Sequence, residues 1–310
     1  MAADGMTGLK IACIGECMIE LSQIDFVQGA ARVSFAGDTL NTAVYLSRLG
    51  CDVSYITNLG MDAFSTAMLQ RFKGEGINCN LIGRHETRLP GLYEIETDPC
   101  GERSFHYWRE ESAARTLFEG VGASLADLAG FDVVYLSGIT LAILPPYVGA
   151  ALIATAKELK AAGKQVVFDT NHRPRLWPDE ATARASFDLM WAVTSIALPS
   201  YDDEERLYPG LSPSEVIDRI SGLGPNEVVL KNGAQGPMIR FGGLSVQTAM
   251  VEAESVVDTS GAGDSFNAGY LAARLAGAEP SQSAAAAHRL ASAVIGHHGA
   301  VIPKQAMPAI

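Results

Sequence analysis

Cysteine is scarce and unpaired in this sequence. The five residues (Cys13, Cys17, Cys51, Cys79, Cys100) are odd in number, thinly spread and without a CxxC spacing. That argues against a disulfide framework and for free thiols in a reducing cytosol. Long apolar runs are missing. No stretch approaches the roughly 18 residues that a membrane-spanning helix needs. The opening MAADGMTGLK lacks a charged start followed by an apolar stretch, so no signal peptide is expected there. Positive charge is short as well: 23 Lys and Arg against 35 Asp and Glu give a net charge of −12. A surface made for nucleic acid or anionic membrane is therefore not expected. An anionic ligand would gain nothing from the global field and would need a few local donors. Internal repeats and low-complexity linkers are also absent.

What is present is a chain of 310 residues, 48% hydrophobic, enough for a sizeable core. Short β-rich runs recur at 11–19, 53–60, 133–139, 165–171, 195–200 and 227–233. Helix-like segments lie between most of them, and those at 41–50 and 147–163 end in glycine, as helices commonly do. The alternation predicts a mostly parallel sheet covered by helices. Two stretches break it. Residues 18–36 are strand-like and only partly apolar. Residues 83–109 alternate along Leu92–Thr97, turn at DPCGE and return as SFHYW, which is a hairpin. Together the two stretches are expected to form a small β-sheet lid on a single domain spanning 1–310.

The stretch DTSGAGDSFNAG (258–269) packs glycine, hydroxyl and aspartate residues ahead of a helical run. Gly261 and Gly263 free backbone N–H groups to point outward, and a helix start adds a positive dipole end, which together make an anion site. Asp264 is out of place beside an anion unless it does chemistry there. A phosphoryl-transfer site wants this pair: donors for the phosphate and a base for the attacking hydroxyl. The plain alternative is a helix N-cap formed by Asp264 or Ser265. The stretch matches neither GxxxxGK[ST] nor GxGxxG, so neither a P-loop nor a dinucleotide fingerprint is supported.

DTSGAGD resembles the C-terminal signature of the ribokinase-like (PfkB) carbohydrate kinases, matching over Asp258, Thr259, Gly261, Ala262, Gly263 and Asp264. FAGDTLNTAVYLSRLG (35–50) resembles their N-terminal signature. The likeness runs from IGE (14–16) to GA (299–300). It implies a three-layer α/β/α sandwich with a β-lid, ATP as phosphoryl donor and Mg²⁺. It implies Asp264 as base, with Gly261, Ala262 and Gly263 forming the anion hole. Gly37, Asp38 and Asn41 would hold sugar hydroxyls. Tyr93, Tyr107 and Arg109 would face the sugar from the lid, and Arg173 would lie near acid or phosphate groups. LKNGAQG (230–236) resembles the family's strand and turn beside ATP, which assigns Lys231, Gly233 and Gly236 to the nucleotide. One departure stands out. The family often carries N-x-x-E near the metal, and LPSYDDEERL puts Ser200 and Asp203 there, with Asp203 acting on Mg²⁺ through water. Many relatives hold K⁺ near the anion hole, and nothing here decides for or against it.

Within the family, GDTLNTA, the YWRE…SAAR segment and DTNHRPRLW resemble 2-keto-3-deoxygluconate (KDG) kinases. A sugar acid needs charged donors that a neutral sugar does not, and Arg109 is the first choice for its carboxylate, Arg173 the second. The expected product is KDG phosphorylated on its primary hydroxyl. Bland alternatives remain for individual residues. Tyr107 and Trp108 can be lid packing, Arg109 can pair with Glu110 or Glu111, Asn41 can be a helix N-cap, and Arg175 and Trp177 read as structural. For the whole protein the alternatives are a neutral-sugar kinase of fructokinase or ribokinase type, a non-catalytic sugar-binding protein, and a nucleoside kinase. A cytoplasmic homo-oligomer, dimer or higher, is expected.

Overall fold

The computed structural model describes residues 8–97, 103–247, 253 and 255–310; the expected turn at 98–102, with Cys100, lies outside them. Strand β1 (Lys10–Ile14) leads into β2 (Met18–Asp25) and β3 (Ala30–Ala36), then helix α1 (Asp38–Arg48) and β4 (Asp52–Ile56). A short parallel pair follows, β5 (Asn58–Leu59) and β6 (Gly83–Arg84), with α2 (Ala63–Gly74) between them. Next come β7 (Leu92–Thr97), β8 (Arg103–Trp108), β9 (Val133–Ser137), α3 (Gly138–Ile143), α4 (Pro146–Ala161), β10 (Gln165–Asp169) and α5 (Glu180–Val193). The chain continues through β11 (Ile196–Ala197), α6 (Tyr201–Leu207), α7 (Pro213–Leu223), β12 (Glu227–Leu230), β13 (Met238–Phe241) and β14 (Leu244–Gln247). Helices α8 (Ala262–Leu275) and α9 (Pro280–Ile295) complete it. Among the described residues no helix is long and apolar enough to cross a membrane.

Eight strands form one sheet in the order β14-β13-β12-β11-β10-β9-β1-β4. From β12 to β4 the pairing is parallel, and β13 and β14 add an antiparallel edge. Side chains alternate between faces with period two. Val133, Tyr135 and Val167 join one core with Val44, Tyr270 and Leu290 from α1, α8 and α9. Val134, Leu136, Val166 and Phe168 join the other with Leu152, Trp191 and Ile217 from α4, α5 and α7. Every residue of β9 is buried, as expected where helices cover both faces. The result is the expected α/β/α sandwich. In its second core Trp191 meets Phe168 edge-on at 4.7 Å, and emptying such a site costs about 3–5 kcal/mol.

A second sheet runs in the order β3-β2-β7-β8. It joins two distant segments directly, with Ile19, Glu20 and Leu21 opposite Leu92, Tyr93 and Glu94. Two expectations need correction. The run 11–19 is two strands, because the chain leaves the large sheet after Ile14 and enters the small one at Met18. Residues 83–91 are not part of the small sheet. Gly83 and Arg84 pair with Asn58 and Leu59, and Arg84 Nε donates to Gly60 O at 2.6 Å, which ties this piece to the body.

Candidate active site

The functional side chains gather at the C-terminal ends of the parallel strands, where open α/β sheets present ligand residues. Ser137 ends β9, Asp169 ends β10, Ser200 follows β11 and Lys231 follows β12. The N-termini of α1 and α8 meet the same edge, since Asn41 Nδ2 on α1 donates to Asp264 Oδ2 on α8 at 2.8 Å.

The loop before α8 is fixed by Asp258. Its Oδ1 accepts from Ser260 N at 2.9 Å and its Oδ2 from Gly299 N at 2.8 Å. Gly261 follows with φ +73°, and a Cβ there would fall 2.6 Å from Ala300 O, so glycine is required on both counts. No side chain caps the start of α8. The N-cap alternative therefore fails. Asp264 turns to Asn41, and Ser265 Oγ donates to the carbonyls of Gly261 (2.7 Å) and Ala262 (3.0 Å). The helix start keeps its dipole, but Ala262 N, expected in the anion hole, donates to Thr259 O at 3.2 Å.

Burial pushes the Asp264 carboxyl up to about 7; Asp38 and Asp169 add repulsion, against which the Asn41 bond and Lys231 pull down. Asp38 is also raised, chiefly by burial. It accepts from Ser137 Oγ and, at 2.9 Å, from Asn171 Nδ2. Asn41 is not a cap either, since Gly37 holds that position on α1. Asn41 Oδ1 is buried without a partner.

Lys231 stands next to this helix start. Its Nζ lies 3.7 Å from where a Cβ on Gly263 would sit. It pairs with Asp169 Oδ1 at 3.0 Å and donates to Asn267 Oδ1 at 3.1 Å. Asn267 Nδ2 completes the network by donating to Asp169 Oδ2 (2.7 Å) and Tyr135 OH (3.0 Å). Sequence reasoning missed Asp169 and Asn267. A signal existed for each: Asp169 opens the strand-end DTN that flagged Arg173, and Asn267 is three residues beyond Asp264, on one helix face. Gly233 and Gly236 lie in the turn after Lys231, at φ +49° and +85°.

Asp203 and Ser200 sit across this edge. Ser200 Oγ caps α6 by accepting from Asp203 N at 3.3 Å, and Asp203 Oδ2 accepts from His172 N at 3.1 Å. Burial raises the Asp203 carboxyl, and Arg173 partly offsets it. Arg173 is exposed, with Nη1 donating to His172 O at 3.0 Å. Trp177 is structural, edge-on to Phe187 at 5.2 Å. Among the described residues no group of three or more His, Cys, Asp or Glu is placed to hold a metal.

The small sheet supplies the remaining residues. Tyr93 is buried, stacks on Tyr107 at 5.7 Å, and donates its hydroxyl to Glu20. Trp108 is 58% exposed. Arg109 is buried and pairs with Glu16, not with Glu110 or Glu111. Glu16 was not foreseen, and its position in the strand-like run IACIGECMI hid it.

Known proteins resemble the chain over nearly its whole length. The profile of the pfkB family carbohydrate kinases matches residues 9–307. A 2-dehydro-3-deoxygluconokinase of Dickeya dadantii (strain 3937) is 46% identical, over 98% of this chain and 100% of that protein. The crystal structure of a PfkB protein from Polaromonas sp. JS666 superposes with a TM-score of 0.82 at 26% identity, covering 92% of this chain and 94% of that one. A putative ribokinase II from E. coli, solved with ATP and Mg²⁺, has the same fold, with a TM-score of 0.83 at 22% identity over 94% of each chain. With an uncapped glycine turn, a displaced aspartate and this breadth of likeness, the chain belongs to the pfkB family of carbohydrate kinases.

Proposed function

We propose that the protein transfers the γ-phosphoryl group of ATP to the primary hydroxyl of 2-keto-3-deoxy-D-gluconate (2-dehydro-3-deoxygluconate), giving 2-keto-3-deoxy-6-phosphogluconate and ADP. The observation that carries the chemistry is the uncapped start of α8 beside Asp264, whose carboxyl sits near 7 and is turned by Asn41 away from the helix N–H groups. The sugar assignment rests on the identity with the Dickeya enzyme.

In this reading the sugar hydroxyl oxygen attacks the γ-phosphorus as Asp264 takes its proton. The bond from that phosphorus to the bridging oxygen breaks and ADP leaves. Asn41 occupies one oxygen of Asp264 and leaves the other for the proton. A carboxyl near 7 suits a base that works near neutrality. The backbone N–H groups of Gly261 and Gly263 and the Lys231 amine meet the phosphate charge without reorganising, because Asp169 and Asn267 already hold the amine in place. Mg²⁺ fits this edge: it takes hard oxygen donors, keeps most of its water, and binds through one or two carboxylates plus phosphates, so a dedicated cage is not required. Asp203, through water, is the residue assigned to it, and the ion supplies neutralisation of phosphate charge. The small sheet is read as a lid, with Tyr93 and Tyr107 over the sugar and Asp38 and Asn41 beneath it. Closure would keep water from the phosphate.

For the acid group the order of the two arginines reverses. Arg109 already has a buried counter-ion in contact, Glu16, whereas Arg173 is exposed, forms no ion pair at contact distance among the described residues, and feels Asp203 and Asp38 only at longer range. Arg173 is therefore assigned to the carboxylate. An ADP-coupled assay over a panel of sugar acids and neutral sugars tests the proposal. KDG should give the highest kcat/KM. A neutral ketose or pentose ahead of KDG would replace the substrate, and no ADP from any sugar would overturn the kinase reading.

A further inference from the structure

The four strands of the small sheet join the body at one place. β2 begins two residues after Glu16, β3 ends just before Gly37, β7 begins just after Gly91, and β8 ends just before Arg109. Glu16 occupies that junction. A Cβ on Gly37 would lie 2.1 Å from Glu16 O, and one on Gly91 would lie 2.8 Å from Glu16 Oε1 and 3.0 Å from Arg109 Cβ. Gly91 thus makes room for the ion pair, and Gly37 for the backbone that carries Glu16. Glu16 is 1% exposed and Arg109 7%, and Arg109 Nη2 donates to Glu16 Oε2. The guanidinium also lies 5.8 Å from the Tyr107 ring centroid, so the pair reaches the aromatic stack above the proposed sugar site. The fit is incomplete: Glu16 Oε1 and Arg109 Nε are buried without partners among the described residues.

A pair buried in this way is expensive to desolvate, and replacing it with neutral groups is often no loss to stability. Its presence at a shared strand root therefore calls for a functional account. Electrostatically the pair is neutral as a unit. Arg109 brings a fixed fork of donors to the sugar but little net positive charge, since a substrate carboxylate near the guanidinium also feels Glu16. Arg173 feels Asp203 and Asp38 at longer range, but among the described residues no carboxylate contacts its guanidinium. We propose that Glu16 is a positioning residue that fixes Arg109 at the root of the small sheet and, by cancelling its charge, leaves the discrimination of acid from neutral sugars to Arg173. The inference rests on the sugar-acid reading above.

The test compares KDG with its neutral C1 amide, which keeps the sugar and removes the charge. The wild-type ratio of the two kcat/KM values comes first. A ratio near one means that the sugar-acid reading itself has failed. Given a wild-type preference for KDG, the double variant Glu16→Gln/Arg109→Gln decides the inference. It keeps a hydrogen-bonded pair and removes both charges. KM should rise for both sugars alike, the ratio should stay within about twofold, and KM for ATP should not move. A tenfold fall in the ratio would show that Arg109 reads the acid and would overturn the proposal. The single variant Glu16→Gln sharpens the test by unmasking Arg109. Like charge a few ångströms away is worth enough at protein dielectric to raise the KDG preference on the order of tenfold. An unchanged ratio in a folded Glu16→Gln protein would overturn the charge-cancelling role. Should the single variant not fold, the ratio measured on the double variant is decisive by itself.

Discussion

The edge of the large sheet and the root of the small one both bury charge, and they finish the task differently. At the edge, Asp169, Lys231, Asn267 and Tyr135 form a closed set in which each Asp169 oxygen has a partner. At the root, Glu16 and Arg109 hold each other by one contact and leave Oε1 and Nε without partners. A fully satisfied network in a low dielectric is stiff and defines one geometry. A partly satisfied one leaves acceptors and donors that a ligand or a small movement can use. Phosphoryl transfer tolerates little error in position, whereas recognition by a small sheet that has to admit its sugar needs slack. Asn41 stands between the two regimes: Nδ2 is committed to Asp264 and Oδ1 is free. On the proposed reading the division is between chemistry at the body's edge and sugar recognition shared by the small sheet and Arg173, and it is open to attack from either side.

The hardest blow falls on the body. Asp264→Asn removes the base and should lower turnover by about 10² to 10⁴, with sugar and ATP still bound, because the loss is confined to the transition state. Turnover of the native protein should rise with pH through about 7, as Asp264 loses its proton. Stability should move the other way. The folded carboxyl is raised above its unfolded value, so the stability tied to its proton is present at low pH and lost as pH rises through about 7. Asp264→Asn should therefore melt higher than the native protein at pH 8, with the gap closing toward pH 4. A folded Asn variant with near-normal turnover ends the assignment.

Lys231→Met breaks the closed network. Asp169, 3% exposed, is left as an unpaired buried charge, a loss of about 3–5 kcal/mol by denaturant titration. Adding Asp169→Asn should return most of that stability and none of the ATP affinity, since the phosphate still lacks its cation. Recovery of both would make the lysine purely structural. Arg173→Ala is a smaller cut on the recognition side. One charge-assisted hydrogen bond contributes about 1.5–3 kcal/mol, so kcat/KM for KDG should fall roughly 10- to 150-fold, with its C1 amide little changed. An equal fall on both would assign Arg173 to the phosphates.

The sequence carried much of this comparison, unevenly. Strands such as VVYLS and helices ending in glycine are written in local periodicity, and so is the α/β/α layering. DTSGAGD announced the anion site within seven letters. The joining of 18–25 to 92–97 was legible because 92–97 alternates and 18–36 is only partly apolar, so neither suits a strand covered on both faces. The pairs that define each region were not legible. Glu16 and Arg109 are 93 residues apart and Asn41 and Asp264 are 223 apart, and no local rule couples such positions. Residues 83–91 were misread because a two-residue strand bound to the body leaves almost no pattern.

The smallest predicted effect tests whether the small sheet acts as a unit. Tyr93→Phe keeps the ring, and with it the stacking on Tyr107 at 5.7 Å, but removes the hydroxyl that donates to Glu20. Glu20 keeps its bond from Ser34 Oγ at 2.6 Å, and because it is only half-buried, water can take the vacated place. The loss should therefore lie at the low end of a net hydrogen bond, about 0.5 kcal/mol, or two- to threefold. It should appear in KM for the sugar and not in kcat or KM for ATP, because nothing at the body edge has moved. Amide exchange supplies the second readout. β2 and β7 are hydrogen-bonded neighbours, with Ile19 N donating to Gly91 O at 2.8 Å where they meet, so sugar should slow exchange in 18–25 and 92–97 together. Tyr93→Phe should weaken that protection in both segments equally. Protection of one segment alone would mean that the small sheet does not close as one piece. A fall in kcat with KM unchanged would mean that Tyr93 belongs to the chemistry, and the division between the two regions would have to be redrawn.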